Sequence, residues 1–162
     1  MPHQAAKRIA ESRVTLSALM GPQDANSYGN VHGGVIMKMV DEAGALAAMR
    51  HARAPVVTVA IDSMTFMHPI RVGNLVLCKA ELTYVGHTSM EVRAEVISEH
   101  PFEGTSTLTN IAYLVYVALD VEGCPTPVPQ LIFETPDEEA RAEEARQRQQ
   151  RRKQQRVYET AR

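Results

Sequence analysis

The chain has few of the features that announce a chemistry. It holds two cysteines in 162 residues, Cys78 and Cys124, and no Cys-x-x-Cys. So few thiols make no disulfide framework and suggest a reducing, cytoplasmic setting. Its six histidines are scattered, none as a His-x-x-x-His pair, so no metal site is expected. The formal net charge is −2, which removes any global electrostatic reason to expect nucleic acid. No apolar run is long enough to span a bilayer, and the opening MPHQAAKRIAESR lacks the apolar core of a signal peptide. Neither a membrane nor a nucleic-acid partner is expected. Gly-x-Ser-x-Gly is missing, so a serine nucleophile has no motif, and a histidine-based mechanism has nothing to activate. There is no internal repeat.

What is present fits one ordinary globular domain, with 44% hydrophobic and 22% charged residues. Residues 13–20 (RVTLSALM) suggest a short strand. Residues 24–49 (DANSYGNVHGGVIMKMVDEAGALAAM) give a polar loop, a glycine pair and a helix from about 34 to 51. Ile36, Met39, Val40, Ala43, Leu46 and Ala47 recur at helical spacing and mark its buried face. Ala54-Pro55 ends it.

Strand patterns follow. In PVVTVAID, Val57, Val59 and Ile61 share a face, and the apolar parity changes at Met64 and Phe66, which hints at a bulge. Residues 75–85 and 88–96 alternate apolar and polar, as in a sheet with one covered and one wet face, and Gly86-His87 forms the turn between them. Residues 107–119 are apolar on both faces. The expected class is α+β, one long helix on a curled antiparallel sheet. A single helix cannot cover both faces of so large a sheet, so oligomerisation is expected.

The boundaries expected are a domain over 1–134 and a charged helical tail over 135–162. Thr135 is the N-cap, Pro136 the first helical residue, and Glu138 the partner in a capping box. Asp137/Arg141 and Glu144/Arg148 stand at i,i+4. With almost no apolar stripe, the tail reads as a solvated helix.

Asp41 is the residue that calls for a task. It lies beside the apolar stripe, where a charge needs a partner. The Gly33-Gly34 pair opens the helix and leaves backbone N–H groups uncovered, so a carbonyl oxygen could be polarised there. Asn26, in the preceding loop, could align a water. An acid so held suits general-base activation of water. His32 is expected to shape the loop, and Tyr113 and Tyr116 to pack in the sheet.

The motifs Asp24-Ala25-Asn26, Gly29-Asn30-Val31-His32-Gly33-Gly34, Lys38-Met39 and Asp41-Glu42-Ala43-Gly44 stand in order with Val57-Thr58-Val59-Ala60, Phe66-Met67-His68-Pro69-Ile70 and Val85-Gly86-His87-Thr88-Ser89-Met90-Glu91-Val92. Together they resemble the hotdog-fold acyl-CoA thioesterases, in particular the cytosolic (brain-type) acyl-CoA hydrolases and their YciA-like relatives. The resemblance implies a long central helix wrapped by a curved antiparallel sheet, a double-hotdog dimer, and a hexamer built as a trimer of such dimers. It implies hydrolysis of fatty acyl-CoA to fatty acid and coenzyme A. No cofactor is implied, because coenzyme A belongs to substrate and product. Asn26 and Asp41, from the two sides of the dimer interface, take the catalytic roles. Coenzyme A contacts fall on Val59, Ala60 and Ile61, on Thr88 and Ser89, and on the tail, where Arg148, Arg151 and Arg152 are the candidates among its basic residues. A non-catalytic acyl-CoA-binding module or sensor is the alternative on the same fold.

Overall fold

The long helix sets the architecture. In the computed structural model, which describes residues 5–160 and side chains as far as Gln155, α1 runs Gly33–Ala52. It starts where the His32 ring turns back and Nδ1 accepts the Gly34 N–H at 2.9 Å, so His32 is the N-cap. It stops at Arg53, in the left-handed conformation at φ 55°, whose N–H bonds the Met49 carbonyl at 2.8 Å. Ile36, Met39, Val40, Ala43, Gly44, Ala47 and Ala48 are buried along one face. Leu46, expected on that face, is 40% exposed; it sits on the flank of the stripe, and Gly44 and Ala48 take the arc instead.

The strands are β1 (Lys7–Arg8), β2 (Val14–Leu19), β3 (Val56–Phe66), β4 (Leu75–Val85), β5 (Ser89–His100), β6 (Thr105–Ala118) and β7 (Leu131–Ile132). Five of them form one antiparallel sheet in the order β2-β4-β5-β6-β3. β1 and β7 pair in parallel as a separate ribbon, too short to leave a sequence pattern. The alternation of β4 and β5 is realised: Val76, Cys78, Ala80, Leu82, Met90, Val92, Ala94 and Val96 all join the core beneath α1. Burial of such a side chain contributes about 1.5–3 kcal/mol for the larger aliphatics. It also pushes the Cys78 thiol up to about 12, which leaves it inert. The change of parity in β3 is a pair of register shifts, at Val59 and at Asp62, slightly earlier than the sequence suggested. This is the hotdog arrangement.

The outer face departs from expectation. α2 (Pro136–Thr160) does not stand free in solvent; Ala142 and Ala145 are fully buried against the sheet. Charge pairs substitute for the missing apolar stripe. Arg141 reaches Glu81 at 2.6 Å, Arg148 reaches Glu91 at 2.9 Å, and Arg152 bridges Asp62 at 2.6 Å and Glu91 at 3.0 Å. The Arg148 guanidinium also lies 3.9 Å over the Tyr113 ring. Glu91 is 1% exposed and takes a further hydrogen bond from Thr83 Oγ1 at 2.8 Å. At the helix start, the Glu138 N–H donates to Thr135 Oγ1 at 3.2 Å, which is half of a capping box. The other half is displaced by one residue: the Glu138 carboxylate takes the Glu134 N–H at 2.7 Å and binds Arg13.

Two outcomes follow for stability. Glu91→Ala leaves the largely buried Arg148 without its close acid and Arg152 with Asp62 alone, so denaturant unfolding should show a loss of about 3–5 kcal/mol. His51, fully buried, donates Nε2–H to the Pro129 carbonyl at 2.8 Å. Burial holds its pKa below the ordinary value; the Pro129 bond opposes this, Lys7 adds to it, and Glu11 opposes it weakly. The folded chain therefore resists a proton that the unfolded chain accepts, and stability should fall as pH drops below about 6.5. Melting temperatures should decline from pH 7.5 to 5.5, and His51→Gln should flatten that part of the decline.

Candidate active site

Asp41 lies in the third turn of α1, half-buried, and turned toward β3 and β6. Its Oδ1 accepts from Thr58 Oγ1 at 2.7 Å and from Tyr116 OH at 3.2 Å. The same phenol also donates to the Asp41 carbonyl at 3.0 Å. Burial and then the Asp41 charge push the Tyr116 pKa up, so it stays a protonated donor. Oδ2 has no protein partner among the described residues, which leaves one carboxylate oxygen for a reactant. Thr58 and Tyr116 were not singled out from sequence. Thr58 could have been, as a hydroxyl amid PVVTVAID; Tyr116 is hidden in an apolar run.

Asn26 is elsewhere in the chain. Its Oδ1 accepts the N–H groups of Tyr28 at 2.9 Å and Asn30 at 3.2 Å. That turn fixes the amide with Nδ2 as the free end, so Asn26 can donate. It lines a cavity of about 310 Å³ with Gly33, Ile36, Phe66, His68 and Asn110. The Gly34 N–H is already engaged by His32, so of the glycine pair only Gly33 has an amide without a partner among the described residues. Asp41 does not line this cavity; at 1.5 Å per residue it stands about 12 Å along α1 from Gly33. One chain brings Asn26 and Gly33 together and keeps Asp41 apart.

The coenzyme A candidates divide in the same way. Val59, Ala60, Ser89 and Arg152 line a second cleft of about 160 Å³, together with Tyr84, Gln149 and Lys153. Ile61 and Thr88 do not line it; the Thr88 carbonyl accepts the Ala118 N–H at 3.0 Å. Arg148 is absent from it too, held on Glu91, and Arg152 is already paired with two acids. Arg151 is exposed and its Nε donates to the Gln147 carbonyl at 3.4 Å. Lys153 is exposed and makes no ion pair among the described residues. No cluster of three metal-ligating side chains occurs among the described residues, and no helix there is long and apolar enough to cross a membrane.

Residues 28–104 match the family model described as the thioesterase superfamily, which gives the class. The Bacillus subtilis acyl-CoA thioester hydrolase YkhA, itself uncharacterised, is 38% identical over 128 residues, 79% of this chain and 74% of that protein. An acyl-CoA hydrolase from Staphylococcus aureus, solved with butyryl coenzyme A and coenzyme A, superposes with TM-score 0.89 at 35% identity, covering 98% of this chain and 96% of that one. An apo-hexameric acyl-CoA thioesterase gives TM-score 0.89 at 37% identity, covering 93% and 97%. The chain belongs to the acyl-CoA thioester hydrolases of the hotdog fold, a family of enzymes. It spans only 35% of the rat cytosolic acyl coenzyme A thioester hydrolase. Single Ala variants of the Staphylococcus aureus enzyme at an Asp, an Asn and a Thr also match, and the spacing between those positions equals that between Asp41, Asn26 and Thr58.

The fit of α1 on β6 has a local test. A Cβ at Gly44 would overlap the Tyr116 hydroxyl and ring. Gly44→Ala should therefore cost about 1–3 kcal/mol by forcing the phenol away from Asp41, despite the better helix propensity of alanine. Thermal unfolding measures it directly; an unchanged or raised Tm contradicts the close fit.

Proposed function

We propose that the chain hydrolyses fatty acyl-CoA to free fatty acid and coenzyme A at sites shared between two copies of itself, the dimers assembling further into a hexamer. The observation that carries this is the separation just described, along an edge strand. β3 is an outer strand of the sheet, and its Val57, Val59 and Ile61 are 40–45% exposed. Met37, Leu46 and Met49 of α1 are exposed as well. Asp41 is tied to one end of β3 through Thr58, and the Asn26 cavity sits at the other end beside Phe66. An antiparallel pairing of two β3 strands about a two-fold axis near Asp62 would set Thr58 of each chain beside Phe66 of the other. Each dimer then holds two equivalent sites, and the exposed apolar strip is covered.

In each site Asp41 takes a proton from water as general base, and the water oxygen attacks the thioester carbonyl. The Asn26 Nδ2–H groups orient the water or the carbonyl, and the Gly33 amide donates to the developing oxyanion. Such a donor can contribute about 3–4 kcal/mol to the transition state. Collapse breaks the C–S bond, and the thiolate leaves to take up a proton. Thr58 and Tyr116 hold the carboxylate in place. Val59, left without a β6 partner at a bulge, and Ala60 line the cleft and offer contacts to the pantetheine arm there. Arg151 and Lys153, which pair with no acid among the described residues, suit the nucleotide phosphates better than Arg148 or Arg152. The free thiols Cys78 and Cys124 accord with a cytoplasmic setting.

Thiol release from acyl-CoA tests the assignment. Asp41→Ala should fold and keep its oligomeric mass, yet lose at least about 1,000-fold in kcat. A folded variant turning over at the wild-type rate would sink it. Tight acyl-CoA binding by the wild-type protein without thiol release would mark a sensor instead.

A further inference from the structure

Three side chains among the described residues keep a buried polar atom without a partner, His51, His100 and Asn110, and of these only Asn110 lines the cavity beside Asn26. Asn110 lies on β6, opposite Phe66 of β3, and points to the same inner face as Ala112, Leu114 and Tyr116. It is 0% exposed. Its Nδ2 donates to the Thr65 carbonyl at 3.2 Å, but no donor among the described residues reaches Oδ1. A buried acceptor left in that condition is disfavoured, and most such groups are satisfied. Its neighbour Thr109 shows the ordinary solution, donating Oγ1–H to the Val96 carbonyl at 3.1 Å. Asn110 differs in lining the cavity that also holds Asn26 and Gly33.

We propose that Asn110 is a further catalytic residue, whose Oδ1 accepts a hydrogen bond from the hydrolytic water. This inference rests on the thioesterase reading above. The cavity, about 310 Å³, has ample room for a water beside a substrate group. The hydrogen-bonding valences of that water are then fully assigned. One lone pair accepts from Asn26 Nδ2–H, whose own oxygen is occupied by Tyr28 and Asn30. One O–H donates to Asp41 of the second chain, which removes that proton. The other O–H donates to Asn110 Oδ1 and stays on the oxygen that becomes the carboxyl hydroxyl. The second lone pair is left to attack the carbonyl carbon. Asn26 alone supplies only donors and cannot fix the direction of the water; an acceptor on the far side does. The Thr65 bond occupies Nδ2 and leaves Oδ1 as the end of the Asn110 amide without a partner among the described residues.

The test compares Asn110→Leu, which removes the acceptor at similar volume, with Asn110→Asp, which keeps an oxygen there. Steady-state hydrolysis, inhibition by free coenzyme A and thermal unfolding are measured on the full chain. The expected result for Asn110→Leu is a fall in kcat of about 100-fold, with KM and coenzyme A inhibition within twofold of wild type. Asn110→Asp should recover at least tenfold over Asn110→Leu. Unchanged kcat in a folded Asn110→Leu overturns the proposal, as does a rise in KM and coenzyme A inhibition constant with kcat retained, which would put pantetheine on Oδ1. If Asn110→Leu does not fold, Asn110→Ser decides by the same criteria. The outcome stands apart from the base assignment: an inactive Asp41→Ala beside a fully active Asn110→Leu removes this inference alone.

Discussion

The site depends on how closely α1 approaches the sheet. Gly44, Ala47 and Ala48 have no bulk to hold the helix away, so the Tyr116 hydroxyl reaches both the backbone carbonyl and the carboxylate of Asp41. Thr58 completes the fixation from β3. A carboxylate on the flank of an apolar helix would otherwise turn to solvent. Hydrogen bonds from Thr58 at 2.7 Å and Tyr116 at 3.2 Å instead hold it at the sheet, with Oδ2 unpartnered among the described residues. The same close approach fixes where α1 begins, and so where the Asn26 turn and the Gly33 amide lie.

Much of this was legible because periodicity is a direct image of burial. The helix, read over about 34–51, and the strands β4 and β5 followed from apolar spacing, and their apolar faces are buried apart from Leu46, while Thr83 and Glu91 on the polar side are buried as well. Asp41 and Asn26 stood out because polar residues beside apolar stripes or in glycine-rich loops are unusual. What stayed hidden depends on contacts distant in sequence. Tyr116 reads as an apolar strand residue until its hydroxyl is seen against α1, 75 residues away. Asn110 lies within a strand pattern and belongs to no motif. α2 shows no apolar stripe, and nothing local reveals that its arginines find Glu81, Glu91 and Asp62 on the sheet.

That outer layer ties stability to the cleft beside β3. Glu91 neutralises Arg148 and Arg152 where water has little access, and the same two residues, Glu91 and Arg152, line the cleft with Val59 and Ser89. Charges already matched in this way keep α2 in register. The β3 bulges leave Val59 and Asp62 without β6 partners, and Val59 lines the cleft while Asp62 takes Arg152.

The central claim is that a working site needs Asp41 from one chain and Asn26 from another. Subunit mixing tests it most directly. Asp41→Ala and Asn26→Ala, each inactive alone, are unfolded or dissociated together in equal amounts and reassembled, and thiol release is measured. Random pairing makes half the dimers mixed, each with one intact site, so about a quarter of wild-type activity should return. Activity that stays at the level of the separate variants, with mixed dimers demonstrated by mass, would contradict a site built across two chains.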